Sequence, residues 1–312
     1  MTNPQSGGAV VVIGLGAMGL GMAASLLRAG FAVTGVDRSP EQSAAFVKQG
    51  GIVASSQAEV RDAVSKATVV ALVVVNAAQT EQVLFGEGGI GAALKPGAVV
   101  LSCATIAPHQ AKDFETRLGD TGAFYLDAPI SGGAARAAEG RLSIMASGSP
   151  EAFTIARPAL DAMAETVFEL GDHAGPGSAM KIVNQLLAGI HVASTAEALT
   201  FGIGQGIDPT LMVDVISRCA GSSWMFENRG PFIAAGDYRP HSAVDIFVKD
   251  LGIVTETARS SGLSVPLAEK ALSRFQAARE AGLGREGDVA VAKVYAGEGG
   301  LDLPGWSPTA EE

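Results

Sequence analysis

The chain predicts an α/β fold: a doubly wound parallel sheet followed by an all-helical C-terminal domain, the two joined by a long helix. Three observations carry this. Short β-branched runs alternate with helix-length segments through the first half, and a glycine-rich turn follows the first run. After about residue 175 the strand-like runs cease and a long apolar helical stretch begins.

The predicted strands of the first half are 9–14, 31–36 ("FAVTGV"), 68–75 ("TVVALVVV"), 98–101 and 123–127. Between them, 17–29, 40–50, 57–66, 79–94 and 108–119 suit helices. Uninterrupted apolar strands alternating with helices predict a parallel sheet covered on both faces. "LSIMAS" (142–147) and "TVFEL" (166–170) add two further strands.

In the second half, 178–206 reads as one helix, roughly 40 Å long at 1.5 Å per residue. Helices are also expected over 208–220, 241–262, 266–280 and 286–297. Asp208–Pro209 and Ser264–Val265–Pro266 are helix starts with proline in the first turn. The expected domains are therefore 1–175, 176–300 and a tail at 301–312, loosely ordered from about 298.

Composition narrows the function classes. The net charge of −10 argues against nucleic acid or an anionic membrane as partner. Cys103 and Cys219 match no metal-ligand spacing and read as free thiols in a reducing, cytoplasmic setting. "MTNPQSGG" lacks the positive start of a secretory leader. Residues 9–27 are uncharged and nominally long enough to span a bilayer, but their glycines would make a poor single helix. A strand, a turn and a helix start fit them better. No H-E-x-x-H or C-x-x-C occurs, so no metal is expected.

"VVVIGLGAMG" places Gly14, Gly16 and Gly19 in a G-x-G-x-x-G pattern between a strand and a helix. The pattern serves a tight turn, backbone approach to a pyrophosphate and close helix–strand packing. This is the Rossmann-type fingerprint, and it assigns Gly14, Leu15, Gly16, Ala17, Met18 and Gly19 to a dinucleotide. Asp37 ends the next strand, where it would bond ribose hydroxyls and repel a 2′-phosphate, favouring NAD over NADP. Arg38 could instead receive that phosphate.

"GSAMKIVNQLLAG" sets Lys181, and Asn184 one turn on, in a mostly apolar helix. A buried lysine needs a partner or a task. Ser178-x-x-Lys181 also fits an acyl-enzyme pattern, but the S-D-N and K-T-G strings that should accompany it do not occur. Ser131–Gly132–Gly133 is either a carboxylate cradle or an ordinary turn. His191 lies about 15 Å along the helix from Lys181, too far for a shared role, and a subunit or interdomain contact suits it.

Four stretches together resemble the β-hydroxyacid dehydrogenase (3-hydroxyisobutyrate dehydrogenase-like) family: "GLGAMGLGMAASLLRAG", "DAPISGGAARAAEGRLSIMASG", "GPGSAMKIVNQLLAG" and "FVKDLGI". Within it, "SGGAARAAEG", "QLLAGIHVASTAEAL" and "GSSWMFENRGPFIAAGDYRPHSAVDIFVKDLG" resemble a branch that oxidises the C2 hydroxyl of a four-carbon sugar acid.

The resemblance implies Lys181 as general base, Asn184 orienting substrate or lysine, and Ser131, Gly132 and Gly133 holding a carboxylate. A lysine serves as a base near neutral pH only where desolvation lowers its pKa, so Lys181 should be sheltered. The resemblance also implies Thr105 on the nicotinamide side and Val75 and Asn76 lining the cofactor groove, although "VVNAAQ" departs from the family's Leu-Pro pair. Lys249 would reach cofactor and substrate, fixed by Asp250. Trp224, Phe226 and Asn228 lie in a segment that would close over the substrate.

The implied active site is a cleft between the domains of a homodimer or homotetramer. Its substrate is a small hydroxy acid; the alternatives are 3-hydroxyisobutyrate and tartronate semialdehyde. An imine reductase of similar fold usually lacks the helix lysine. A non-catalytic dinucleotide sensor would bind the cofactor without turnover.

Overall fold

The computed structural model describes residues 7–308, which divide into two compact units meeting in sequence at Lys181/Ile182. The first opens with β1 (Gly7–Ile13), α1 (Ala17–Arg28), β2 (Phe31–Val36), α2 (Pro40–Lys48), β3 (Ile52–Val53) and α3 (Gln57–Lys66). It continues with β4 (Val69–Leu72), α4 (Ala77–Phe85), β5 (Val99–Ser102), α5 (Pro108–Gly119) and β6 (Phe124–Asp127). Then come β7 (Ile130–Ser131), α6 (Gly133–Glu139), β8 (Leu142–Ala146), α7 (Pro150–Met163) and β9 (Ala164–Glu169). The helix α8 (Pro176–Gly204) runs from the first unit into the second, followed by α9 (Pro209–Ile216), α10 (Trp224–Ala235), α11 (Val244–Ser260), α12 (Pro266–Glu280) and α13 (Val291–Gly299).

The main sheet has the order β3-β2-β1-β4-β5-β6, with all neighbours parallel. Its period-two pattern feeds two cores. Val10, Val12, Val69, Ala71, Val99 and Leu101 join one cluster, while Val11, Ile13, Val70, Leu72 and Val100 join another. A strand buried on both sides needs apolar residues at every position, which is why these strands read as unbroken runs. The strand order reverses direction between β1 and β4. In doubly wound sheets ligands bind outside the carboxyl ends of the strands at that point.

Helix starts follow local chemistry. Ser56 and Glu59 form a reciprocal capping box on α3, and Ser39, Ser149, Asp208 and Ser223 each cap the helix that follows.

Several elements differ from expectation. The strands at 142–147 and 166–170 exist, but with β7 they form a separate three-stranded sheet. Only Ala128 and Pro129 separate β6 from β7, too few for the crossover that a parallel neighbour requires. The helix expected over 79–94 stops at Phe85, where a run of glycines begins and Gly88 takes φ +75°. The helices α6, α7 and α10 are additional to those expected, and α7 and α10 carry Pro158 and Pro231 inside them. Residues 9–27 fold as strand, turn and helix rather than one span. By length and composition α8 could cross a bilayer, yet it contains buried Ser178, Lys181 and Gln185.

The second unit is helical around its own core, which includes Val192, Phe226, Phe247, Leu251 and Phe275. Phe247 and Phe275 stack at 5.1 Å between ring centroids. The segment after α13 was expected to be loose, but Leu303 is buried and Tyr238 Oη donates to the Pro304 carbonyl at 3.1 Å. Residues 309–312 of the expected tail, and 1–6 of the start, lie outside the described residues.

Candidate active site

The carboxyl ends of β1, β2, β4 and β5 bring the expected cofactor residues to one edge of the sheet: Gly14–Gly19, Asp37–Arg38, Val75–Asn76 and Thr105. The three fingerprint glycines do three different things. Gly14 takes φ +95°, and a Cβ there would overlap the Val73 carbonyl. A Cβ on Gly19 would overlap the Gly14 carbonyl oxygen, so this glycine lets α1 start against the strand end. A Cβ on Gly16 would meet nothing within 4 Å, so no protein packing calls for glycine there. Close approach of a ligand to the backbone would call for it. No side chain caps α1, which leaves its first-turn N–H groups available to an anion. These residues fit a dinucleotide pyrophosphate.

Asp37 has a structural task that the sequence did not reveal. Its Oδ2 accepts from the Leu15 N–H at 2.6 Å and its Oδ1 from the Ser39 N–H at 2.7 Å. The carboxylate thereby ties the fingerprint loop to the end of β2. A carboxylate offers about four acceptor positions, so both oxygens can still take ribose hydroxyls. Arg38 is exposed, while the Leu15 side chain is wholly buried and can meet a cofactor only through its backbone. Asn76 caps α4, its Oδ1 accepting from Gln79 N at 2.9 Å, and the exposed Val75 donates its N–H to Gln79 Oε1 at 2.8 Å. Thr105 is part-buried between β5 and α5.

Ser131 ends β7, and Gly132 and Gly133 follow with φ of +131° and +78°. That conformation, which side chains rarely adopt, makes the strand-to-helix turn into α6 glycine-dependent.

Lys181 is only 7% exposed, and its position is set from below by a residue the sequence reading overlooked. Asp127, the last residue of β6, accepts from Ser178 Oγ at 2.7 Å, Ser178 N at 2.7 Å and Gly175 N at 3.0 Å. One buried carboxylate thus caps the start of α8, one turn before Lys181. Burial pushes the Asp127 carboxyl above the usual carboxylate range, against the pull of hydrogen bonds from Ser178, Gly175 and Ser147. The available signal was an acidic residue ending an otherwise apolar buried strand.

In the second unit Asp250 is buried, with Lys249 Nζ 2.7 Å from its Oδ1. No well-angled hydrogen bond accompanies this approach, so the contact is an ion pair. Asp250 Oδ2 accepts from Gln185 Nε2, whose amide in turn meets Asn184. Gln185 went unrecognised in the sequence because a glutamine in an apolar helix carries no signature. Trp224 is exposed, but Phe226 lies in the helical core, so the expected closing segment is a packed helix. Cys103 and Cys219 are free thiols, as expected. Among the described residues no cluster of metal-ligating side chains occurs.

Comparison with known proteins accounts for nearly the whole chain. The family model for the NAD binding domain of 6-phosphogluconate dehydrogenase matches residues 9–171. The model for the NAD-binding region of NADP-dependent 3-hydroxyisobutyrate dehydrogenase matches 175–295. The chain belongs to the β-hydroxyacid dehydrogenase family. As a member of that family it is an NAD-binding oxidoreductase, and its Rossmann-type sheet and helical second unit are the family's architecture.

Within the family, L-threonate dehydrogenase of Cupriavidus necator is 51% identical over 294 residues, 94% of this chain and 97% of that protein. L-threonate dehydrogenase of Escherichia coli K12 is 45% identical, covering 95% and 96% of the two chains. A crystal structure named as 3-hydroxyisobutyrate dehydrogenase from Salmonella typhimurium superimposes with a TM-score of 0.86. It is 45% identical and spans 91% of this chain and 99% of that one.

Proposed function

We propose that this family member oxidises the C2 hydroxyl of L-threonate to 2-oxo-tetronate with NAD. The observation that carries the reading is the 51% identity to the Cupriavidus protein over almost the full length of both chains. The name of the Salmonella protein favours 3-hydroxyisobutyrate as a second reading.

Lys181, sheltered on α8, takes the proton from the substrate hydroxyl, and in the reverse direction returns it. Asn184, one turn on, orients the substrate or the lysine by hydrogen bonds. The Ser131 hydroxyl and the N–H groups of the Gly132–Gly133 turn hold the substrate carboxylate. Lys249, steadied by the buried Asp250, serves substrate and cofactor together. NAD, when bound, accepts the hydride from the carbon that bears the hydroxyl. Asp37 favours NAD, since a 2′-phosphate would meet a carboxylate.

Homo-oligomerisation in a cytoplasmic, membrane-free setting completes the reading. It is supported by the exposed Met180, Val183, Leu187 and Phe201 on α8, an apolar array of the kind that marks interaction surfaces.

The test is NADH formation, followed by nicotinamide absorbance, with L-threonate, D-erythronate, 3-hydroxyisobutyrate and D-glycerate. Preferred turnover of L-threonate supports the proposal. A strong preference for 3-hydroxyisobutyrate moves the chain to the second reading, and NAD binding without turnover of any acid removes both.

A further inference from the structure

Four polar side chains of the second unit form one line of contacts. Lys249 Nζ lies 2.7 Å from Asp250 Oδ1. Asp250 Oδ2 accepts from Gln185 Nε2 at 2.5 Å, and Gln185 Oε1 accepts from Asn184 Nδ2 at 2.9 Å. Asp250 is 1% exposed and Gln185 8%, so water competes poorly for the middle of the line.

The direction of every donor in this line follows from its charged member. An ionised carboxylate can only accept, so Gln185 must turn its NH₂ toward Asp250. That leaves the Gln185 carbonyl facing Asn184. A carbonyl also only accepts, so Asn184 must turn its own NH₂ toward Gln185. The polarity imposed at Asp250 therefore passes through two amides, and Asn184 Oδ1 is directed away from Gln185. Flipping either amide would set a carbonyl oxygen against another acceptor, leaving buried groups unsatisfied. An Asn in isolation pays no such penalty and offers either end.

We infer that Gln185 is a positioning residue that locks the Asn184 amide so that the site presents a carbonyl acceptor. The matching ligand is a 2-hydroxy acid with a further hydroxyl on the adjacent carbon, because a hydroxyl donates where an alkyl group cannot. A site built to bond a hydroxyl discriminates strongly against the analogue lacking it. The inference rests on the reading above, in which Asn184 contacts substrate.

The test compares kcat/KM for L-threonate with that for 2-hydroxybutyrate, which has the same carbon chain without the further hydroxyls. It uses the full-length enzyme with NAD. Gln185→Leu removes both polar ends of the side chain at similar volume. The expected result is a loss of about tenfold or more on L-threonate, carried mainly by KM, against less than about threefold on 2-hydroxybutyrate. NAD affinity should not change.

A second pair of variants separates positioning from packing. Gln185→Glu alone sets two carboxylates face to face and should lose activity on L-threonate. Adding Asp250→Asn restores a donor opposite every acceptor: the new carboxylate at 185 accepts from Asn184 and from the new amide, whose carbonyl still faces Lys249. The double variant should recover at least about tenfold of what Gln185→Glu loses.

Equal losses on the two acids, no loss in Gln185→Leu, or a double variant as impaired as Gln185→Glu would each overturn the inference. Should the wild type prefer a different polyhydroxy acid, L-threonate fails as the substrate, and that acid with its deoxy analogue decides the positioning role. A wild-type preference for an acid with no second hydroxyl overturns both.

Discussion

Ser178 Oγ donates to Asp127 Oδ1 at 2.7 Å across 51 residues of sequence, while the backbone N–H of the same serine bonds the other carboxylate oxygen. This pair fastens the first turn of α8 to the end of β6, and Lys181 stands one turn further along. Asp127→Ala leaves Gly175 N, Ser178 N and Ser178 Oγ without their acceptor. The expected cost is ~3 kcal/mol of stability, from the penalty of unsatisfied buried groups, read as a lowered urea midpoint. Turnover should fall together with stability, since the lysine loses its anchor.

The same carboxyl should leave a mark on the pH dependence of stability. Burial holds its folded pKa above the unfolded value of about 3.9. Its contribution is therefore fully present below that unfolded value. It is lost as pH rises through the folded pKa, and is constant beyond. Urea midpoints measured across pH should show this declining segment in the wild type. Asp127→Asn, which cannot titrate, should lack it, and an unchanged slope in that variant would assign the titration elsewhere.

Gly16 and Gly19 should respond oppositely to alanine. A methyl at position 16 meets no protein atom, so Gly16→Ala should fold with near-normal stability and lose at least about tenfold in NAD affinity. Gly19→Ala drives its methyl into the Gly14 carbonyl and should destabilise by roughly 1–3 kcal/mol, the usual cost of overpacking. Calorimetric NAD titration beside thermal melts separates the two; equal effects on both readouts would contradict the division of roles.

Lys181→Met keeps the bulk of the side chain and removes the proton acceptor. Turnover should drop by about 10²–10⁴, the range for a general base, with NAD affinity within a few-fold of normal. Retention of activity within about tenfold in steady-state assays would remove Lys181 from that role.

Asp37→Ala should weaken NAD more than NADP, compressing the ratio of their kcat/KM values by about tenfold. Because Asp37 also holds the Leu15 N–H, part of the loss should appear with both cofactors. An unchanged ratio would assign cofactor choice to Arg38.

Cys103 is buried, and desolvation, with Asp127 nearby, pushes its thiol up to about 12. Thiolate is the reactive form, so Cys103 should resist alkylation in the native protein. Cys219 is exposed and should react first. Mass spectrometry after brief treatment with iodoacetamide should find label on Cys219 alone, and on both residues after denaturation.

The parallel sheet, the fingerprint loop and the long helix were legible in the chain, because each is written in local patterns. Strands buried on both faces must be apolar throughout, a loop that admits phosphate must lack Cβ atoms, and helix starts carry Ser, Asp or Pro. The motif that holds Lys181 and Asn184 was legible for the same reason. The resemblance supplied what local chemistry could not, since Ser131–Gly132–Gly133 reads equally as a turn.

Tertiary structure alone decided which polar residues serve others. Asp127 meets Ser178 across 51 residues and Asp250 meets Gln185 across 65, and no periodicity or spacing encodes such pairs. That the expected strands β8 and β9 stand apart from the main sheet was likewise invisible, since their partner β7 has only two residues. Pairing energy in a sheet comes from neighbours distant in sequence, and burial makes one long-range carboxylate worth more than a helix's own propensities. Those contacts exist only once the chain has closed on itself.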